Sequence, residues 1–448
     1  MSNNTSKILA NFIVNTHDCN HLYDIIVPAV ADCFGCIIAG AESEVSKKVA
    51  KTLYHFAKGN TRVYGSKISL SLPYAALLNA TAGHSWDLDD YEEPGNTHPS
   101  VVLLPAMLAA SSIARCSGRD LLDAYAIGSE VIMRIGEAIT LQHYAKGYHS
   151  TATLGALGAA AATSRLLSLS EEQTSHSLAL SISQAIGYTK QFGSNAKPIQ
   201  AGFAARAGLE STLLAKNGVT ANIGIINDWR GFSGLLGSHC DNRFLKLEKC
   251  LGNPWALEEH GIVLKPWPSC GYTHRMMTNA IGLRNMLSRN FDDIVLIKAS
   301  LPKFHFDILP FKYPKDQNQA LFSLQACTAQ ALVKGTLSLK DCETKFWKEP
   351  KVQQLMKIIR VEAKAPRNPT KNYDPEEPDI LTLVKESGEE IKNYCAYPLG
   401  APQNPMSMKQ LSEKYNSITG KPISNFFALL KWPKSSDVSE FFKNQSDY

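Results

Sequence analysis

Residues 150–167, STATLGALGAAAATSRLL, carry no charge before Arg165 and place Ala, Gly, Ser or Thr at almost every position. A helix with side chains this short on all faces gains burial only from neighbours that approach closely on every side. Such a segment therefore demands a multi-helix core around it. The same texture recurs over 22–38, 42–56, 74–84, 101–114, 121–140, 171–187 and 202–214, and the spacing predicts a helix in each. Asp120 is placed to start one of them, and Ser170 followed by Glu171 and Glu172 is a capping signal for another. At 448 residues, 44% hydrophobic and 19% charged, the chain can bury such a core without disulfides or a structural metal. That balance excludes a disordered, collagen-like or long coiled-coil protein.

Around Lys265 the texture changes. KPWPSCGYTHRM reads as a Pro-punctuated loop entering a helix over 273–287. Short β-rich runs follow at 293–300, 358–363, 380–384 and 390–395, the last two facing each other across SGE as a hairpin. Helices over 320–333 and 342–355 lie between them, and from Met408 helical spacing returns. The expected fold is mainly α. A large all-helical domain is built from both chain ends (1–262 and 399–448), with a smaller α+β lid domain, 263–398, inserted between them.

The 46 basic and 41 acidic residues leave a net charge of +5. That is too weak and too scattered for a nucleic-acid footprint. Cys33 and Cys36 form a CxxC inside an apolar helical run, VPAVADCFGCIIAG, where a redox pair is not expected. They read as small core residues, and no second ligand pair follows at zinc spacing. The N-terminus lacks a basic segment followed by an apolar core, and the runs 101–110 and 154–162 are too short to span a bilayer. The expectation is a cytoplasmic, soluble protein without membrane or nucleic-acid partners. The phosphate-loop, dinucleotide, zinc-protease and nucleophile-elbow signatures do not occur.

Four segments carry chemistry. In GHSWDLDDYEEPGNTHPS, Asp87 and Asp90 are expected on one helical face, and His98 stands just before Pro99 at a helix entry. Asp87 and His98 suit a carboxylate–imidazole pair that raises the basicity of the ring; a solvated acidic turn with a structural histidine is the alternative. HYAKGYHSTATLG brings Tyr144, Tyr148 and His149, the last ahead of a helix N-terminus that attracts anions. In SNAKP, Lys197 opposes the dipole of its own helix, so it needs a reason, such as a bound carboxylate. In LKPWPSCGYTHRM, Lys265 sits in a stiff loop at the expected domain junction. Cys270, His274 and Arg275 follow it, Cys270 and His274 being conceivable as a nucleophilic pair. The inventory suits a small polyanion held by cations while an imidazole moves a proton. Elimination, decarboxylation and epimerisation all remain open on these residues.

The four segments, in this order and spacing, resemble the MmgE/PrpD family of 2-methylcitrate dehydratases, cis-aconitate decarboxylases and iminodisuccinate epimerases. The likeness runs from the helix around Asp32 through GHSWDLDD with THPS, HSTATLG, AKP and KPWPSC to His274. It implies a homodimer of two-domain chains whose site, between the domains, needs no cofactor or metal. The residues it carries over are Asp87, His98, His149, Lys197 and Lys265. Tyr91 stands where the decarboxylase pattern has a threonine, and Cys270 where the animal-type pattern has a histidine. The expected activity is dehydration of a 2-methylcitrate-like hydroxy acid. Epimerisation of an iminodisuccinate-like acid, decarboxylation of a cis-aconitate-like acid and non-catalytic binding of a small polycarboxylate are the rivals.

Overall fold

The computed structural model describes residues 5–139, 141–237, 241–287, 291–435 and 437–446. Seven long helices of the first half are α1 (Tyr23–Ala41), α2 (Leu72–His84), α3 (Pro99–Ser111), α4 (Gly118–Ile139), α5 (Ser150–Leu166), α6 (Glu171–Ile182) and α7 (Ala196–Lys216). Each meets a helix expected from the sequence, though Thr140, where the α4 expectation ended, lies outside the described residues. The small-residue helix α5 packs against α3, α4, α6 and α7 together. It can do so because little stands between the backbones. A Cβ added at Gly208 of α7 would sit 2.4 Å from the Cβ of Ala159 in α5. Gly208→Val is therefore expected to lower stability by about 1–3 kcal/mol through overpacking, read as a lower midpoint in scanning calorimetry. An unchanged midpoint would mean that the α5–α7 contact can spread without strain.

Helix α1 is long and apolar enough to cross a bilayer by length and composition, yet 78% of its apolar window is buried within the protein. It carries Cys33 and Cys36, both buried, whose thiols are pushed up by burial. A two-stranded ribbon that the sequence reading did not anticipate, β1 (Lys58–Arg62) with β2 (Ser69–Leu70), covers one flank.

The second half is organised around helix α8 (His274–Met286), helix α9 (Leu324–Lys334) and a mixed sheet. Its strands are β3 (Ile294–Pro302), β4 (Ile359–Lys364), β5 (Asp379–Lys385) and β6 (Glu390–Cys395), in the order β4-β3-β5-β6. Strands β3 and β4 run parallel and the other pairs antiparallel. The β5–β6 hairpin turns at Gly388, whose φ of 87° suits glycine. The single helix expected over 342–355 is broken in two. Lys345 adopts a left-handed φ of 60°, and the second piece, α10 (Pro350–Ile358), starts at a proline. Proline disfavours helical backbone in the residue before it, so the apolar spacing cannot continue through Glu349.

Among the described residues two large apolar cores result, with a smaller cluster around Leu53, Val63, Leu70 and Leu78 beside the ribbon. One large core joins α1–α7 to the tail, where Leu411 and Tyr415 of α11 (Met408–Thr419) and then Phe426 and Phe442 return to the helical body. The other fills the α+β part and reaches into the helical body through Trp86, Leu88, Tyr91 and Phe192. A mainly helical protein with a lid-like α+β insertion is the observed architecture. The chemistry-bearing segments lie where the two cores meet.

Candidate active site

Three helix starts converge on one cleft. His98 is the N-cap of α3, His149 the N-cap of α5, and Lys197 the second residue of α7. Together with Tyr91, Asn96, Tyr144, Phe192, Cys270, Tyr272 and Tyr373 they line it. The positive dipole ends of three helices, each 13 residues or longer, make this a place for negative charge.

The GHSWDLDD segment does not stay helical. Helix α2 ends at His84, and Asp87 takes a left-handed φ of 50°. The expected shared helical face of Asp87 and Asp90 is therefore absent. Instead, the turn drives the Asp87 carboxylate between two lysines, 2.8 Å from Lys197 Nζ and 2.5 Å from Lys265 Nζ. This is why Lys197 tolerates its helix start: its counter-ion belongs to the protein. Burial alone would raise the Asp87 carboxyl, but Lys197 and Lys265 outweigh it and hold the group well below the usual carboxylate range. Lys265 is fully buried behind Asp87, also donates to the Asp87 carbonyl oxygen, and is not part of the cleft lining. Asp90 turns away from the cleft, accepting from the N–H and hydroxyl of Ser100.

The carboxylate nearest His98 is Asp89. Its Oδ2 lies 3.1 Å from His98 Nδ1, whereas Asp87 Oδ1 is 3.9 Å from Nε2. The expected pairing is corrected accordingly: Asp89 orients the ring, and Asp87 neutralises the lysines. The other side of Asp89 is taken by His84, 2.8 Å away through Nδ1. The two histidines outweigh burial and keep Asp89 well below its ordinary range. Burial, against the pull of Asp89 and with Lys265 and Lys197 adding to it, lowers His98 to about 3. His98 is thus held towards the neutral imidazole, with Nδ1 facing Asp89 Oδ2 and Nε2 left for the cleft. From behind, Lys414 of α11 pairs with buried Asp32 at 2.7 Å and donates to the Leu88 carbonyl at 3.1 Å, clamping the turn.

The acidic loop is not solvated. Glu92 is buried and accepts from the N–H of Gly95 and of Thr97 at 2.7 and 3.0 Å, closing the loop on itself. Asn96 then donates to the Tyr272 hydroxyl, which donates to Asn372 of the insertion, tying the helical part to the lid over the cleft.

Not every expected residue reaches the cleft. Tyr148 stacks on His143 at 5.0 Å and is outside the lining. His274 is buried, its Nε2 3.1 Å from Ser269 Oγ. Arg275 braces the lid: Nε donates to the Cys395 carbonyl, Nη2 to the Glu377 carbonyl, and Nη1 pairs with Asp379. Cys270 does line the cleft, but burial pushes its thiol up to about 12, so it is no ready nucleophile. His84, Asp89, Gln200, Tyr272 and Tyr373 were missed. His84 and Asp89 stood within GHSWDLDD and Tyr272 within LKPWPSCGYTHRM, both segments already singled out; Gln200 and Tyr373 offered no local signal.

His84, Asp87, Asp89 and His98 bring ligand-type atoms within 4.8 Å of one another. The fit to a divalent cation is poor, because both oxygens of Asp87 are already met by ammonium groups whose charge opposes a second cation.

Burial also stores an acid sensitivity. His98, His274 and His305 are lowered to about 3 and His143 to about 4, in each case chiefly by burial. The unfolded chain takes up these protons near 6.5. Between these limits the unfolded state binds more protons, so stability falls as pH drops from about 6.5 towards 4. The melting temperature should decline steadily through that window; a flat profile would contradict the neutral burial.

Residues 7–244 match the MmgE/PrpD N-terminal domain and residues 267–425 the MmgE/PrpD C-terminal domain. The chain belongs to the MmgE/PrpD family and is an enzyme of that type. It is 27% identical to a cis-aconitate decarboxylase of Mus musculus over 425 residues, covering 90% of this chain and 84% of the relative. It is 26% identical to the Homo sapiens cis-aconitate decarboxylase over 464 residues, covering 95% and 89%. A cis-aconitate decarboxylase of Aspergillus terreus is 31% identical over 260 residues, covering 55% and 52%.

Proposed function

We propose that the protein acts on small di- and tricarboxylic acids and releases CO2 from a cis-aconitate-like acid, with His98 as the proton-transfer group. The convergence of three helix N-termini and Lys197 around the open Nε2 of His98 carries the reading. Relatives named cis-aconitate decarboxylase, aligned over most of their length, support this reaction over the dehydration expected from the sequence. In this reading the substrate carboxylates lie against Lys197 and the starts of α3 and α5. The carboxylate that leaves as CO2 gives its C–C bonding pair to the conjugated alkene and remaining carboxylate. The positive ends of the helices stabilise that charge. A proton from His98 Nε2 then completes the new C–H bond, so each turnover consumes one proton. His98 is neutral in the empty site, and the arriving carboxylates supply the negative charge that raises it.

That same neutral state favours a second reading. A free imidazole with an anchored Nδ1 is ready to take an α-proton, as dehydration of a citrate-like hydroxy acid requires. Proton NMR in D2O with cis-aconitate, citrate and 2-methylcitrate separates the two. Loss of a carboxylate from cis-aconitate with one deuterium gained is the expected result. Alkene formation from the hydroxy acids without carbon loss would replace it with dehydration, and no change in any acid would sink both. The pH profiles run in opposite directions: decarboxylation slows as His98 loses its proton with rising pH, whereas dehydration slows as it gains one. The proposal includes a homodimer that works without added metal, tested by sizing in solution and by activity after chelation.

A further inference from the structure

We infer that Gln200 fixes the tautomer of His149, so that the cleft meets its ligand with a hydrogen-bond acceptor at His149 Nε2. A hydrogen must therefore come from the ligand itself or with a proton taken up on binding. The inference rests on the carboxylic-acid reading of the cleft only for the identity of the ligand; the tautomer stands on the protein alone.

The argument begins at the Tyr188 backbone. Its N–H can only donate and its carbonyl can only accept. The first lies 3.1 Å from one end of the Gln200 side chain and the second 3.2 Å from the other. The carboxamide has one orientation that satisfies both, with Oε1 towards the N–H and Nε2 towards the carbonyl. The same Oε1 lies 2.8 Å from His149 Nδ1. An amide oxygen only accepts, so Nδ1 must carry the hydrogen. In the neutral ring Nε2 then holds a lone pair, and that atom is buried with no protein partner among the described residues. His149 lines the cleft.

The backbone makes this arrangement stiff. His149 donates its N–H to the Gly187 carbonyl at 2.9 Å, and Tyr148 pairs with Tyr188 as an antiparallel bridge. The imidazole and the residue that pins Gln200 are thus held in register. Gly187 leaves the room: a Cβ there would sit 2.6 Å from Gln200 Oε1.

The groups facing His149 oppose its charging. Burial is the chief cause, and Lys197 at the start of α7 adds its positive charge. His84 at the end of α2, its ring 6.0 Å away, and His98 at the start of α3 would add to the opposition if charged, while the Gln200 hydrogen bond acts the other way. Phe192 presents its ring at 4.9 Å without offering an acceptor. A fully ionised tricarboxylate brings no hydrogen, so it faces lone pair against lone pair unless a proton enters with it.

Two measurements test this. In protein labelled with 15N-histidine and free of ligand, His149 should show a protonated Nδ1 and an unprotonated Nε2. Gln200→Leu should abolish that preference, and Gly187→Ala, which crowds Oε1 and also the Cβ of Ala152 in α5, should weaken it. An Nε2–H tautomer in the unaltered protein would overturn the inference even if the variants failed to fold. Calorimetric titration with tricarballylate, an unreactive tricarboxylate, in buffers of different ionisation heat should show uptake of about one proton, with affinity falling about tenfold per pH unit. Binding with no proton uptake would overturn the requirement for a delivered hydrogen. Absence of any tricarballylate binding, with the Nδ1–H tautomer present, would overturn the tricarboxylate reading and not the tautomer.

Discussion

Replacing His98 with glutamine is expected to lower kcat by about 10²–10⁴-fold while leaving the fold in place. Glutamine can still present an N–H towards Asp89, and it still follows the Asn96–Thr97 turn into α3. What it cannot do is hold a proton on the atom left for the cleft. The loss should fall on kcat more than on KM, because Lys197 and the helix starts, which hold the substrate in the proposed reading, are untouched. Rates in the NMR assay, with circular dichroism as a check on folding, decide this. Activity within about tenfold of the unaltered protein would remove His98 from the proton transfer in both readings.

Lys265→Met is expected to cost about 3–5 kcal/mol of stability, a large penalty for one surface-remote change. Lys265 is fully buried and sits 2.5 Å from Asp87 Oδ1. The lysine is raised above its ordinary value by Asp87 and Asp89 despite burial, so its contribution is complete at neutral pH and is lost only as pH rises through that raised value. Asp87, being depressed, contributes above the ordinary aspartate range and loses its contribution as pH falls. Removing Lys265 leaves Asp87 buried and half-paired, with Lys197 as its remaining ammonium partner, and the carboxylate must then be protonated or poorly compensated. Chemical denaturation of Lys265→Met beside Asp87→Asn/Lys265→Met tests the cause, since removing both charges should recover part of the loss. A single variant as stable as the unaltered protein would mean that Lys197 alone suffices.

The same pair shows why the sequence was only half readable here. Asp87, His98, Lys197 and Lys265 were each picked out, and each lies in or directly behind the cleft. Their partnerships were not. Asp89 takes the role expected of Asp87 because Asp87 itself, with a φ of 50°, turns the chain. Nothing in GHSWDLDD announces that reversal. Tyr148 and Tyr144 stand in one short motif, yet Tyr144 lines the cleft and Tyr148 packs on His143.

What the sequence determined by itself is the architecture: a small-residue helix that requires close neighbours, the change to short strands after Lys265, and helical spacing again from Met408. It also determined that basic and imidazole groups stand at helix starts. These are properties of periodicity and of the first turn of a helix, both of which are local. The tertiary structure alone decided which nitrogen meets which carboxylate, that Gln200 reaches His149 across 51 positions, and that Arg275 braces the lid instead of the ligand. Such pairings are set by distances of a few ångströms between segments far apart in the chain, and burial then decides which of them are charged.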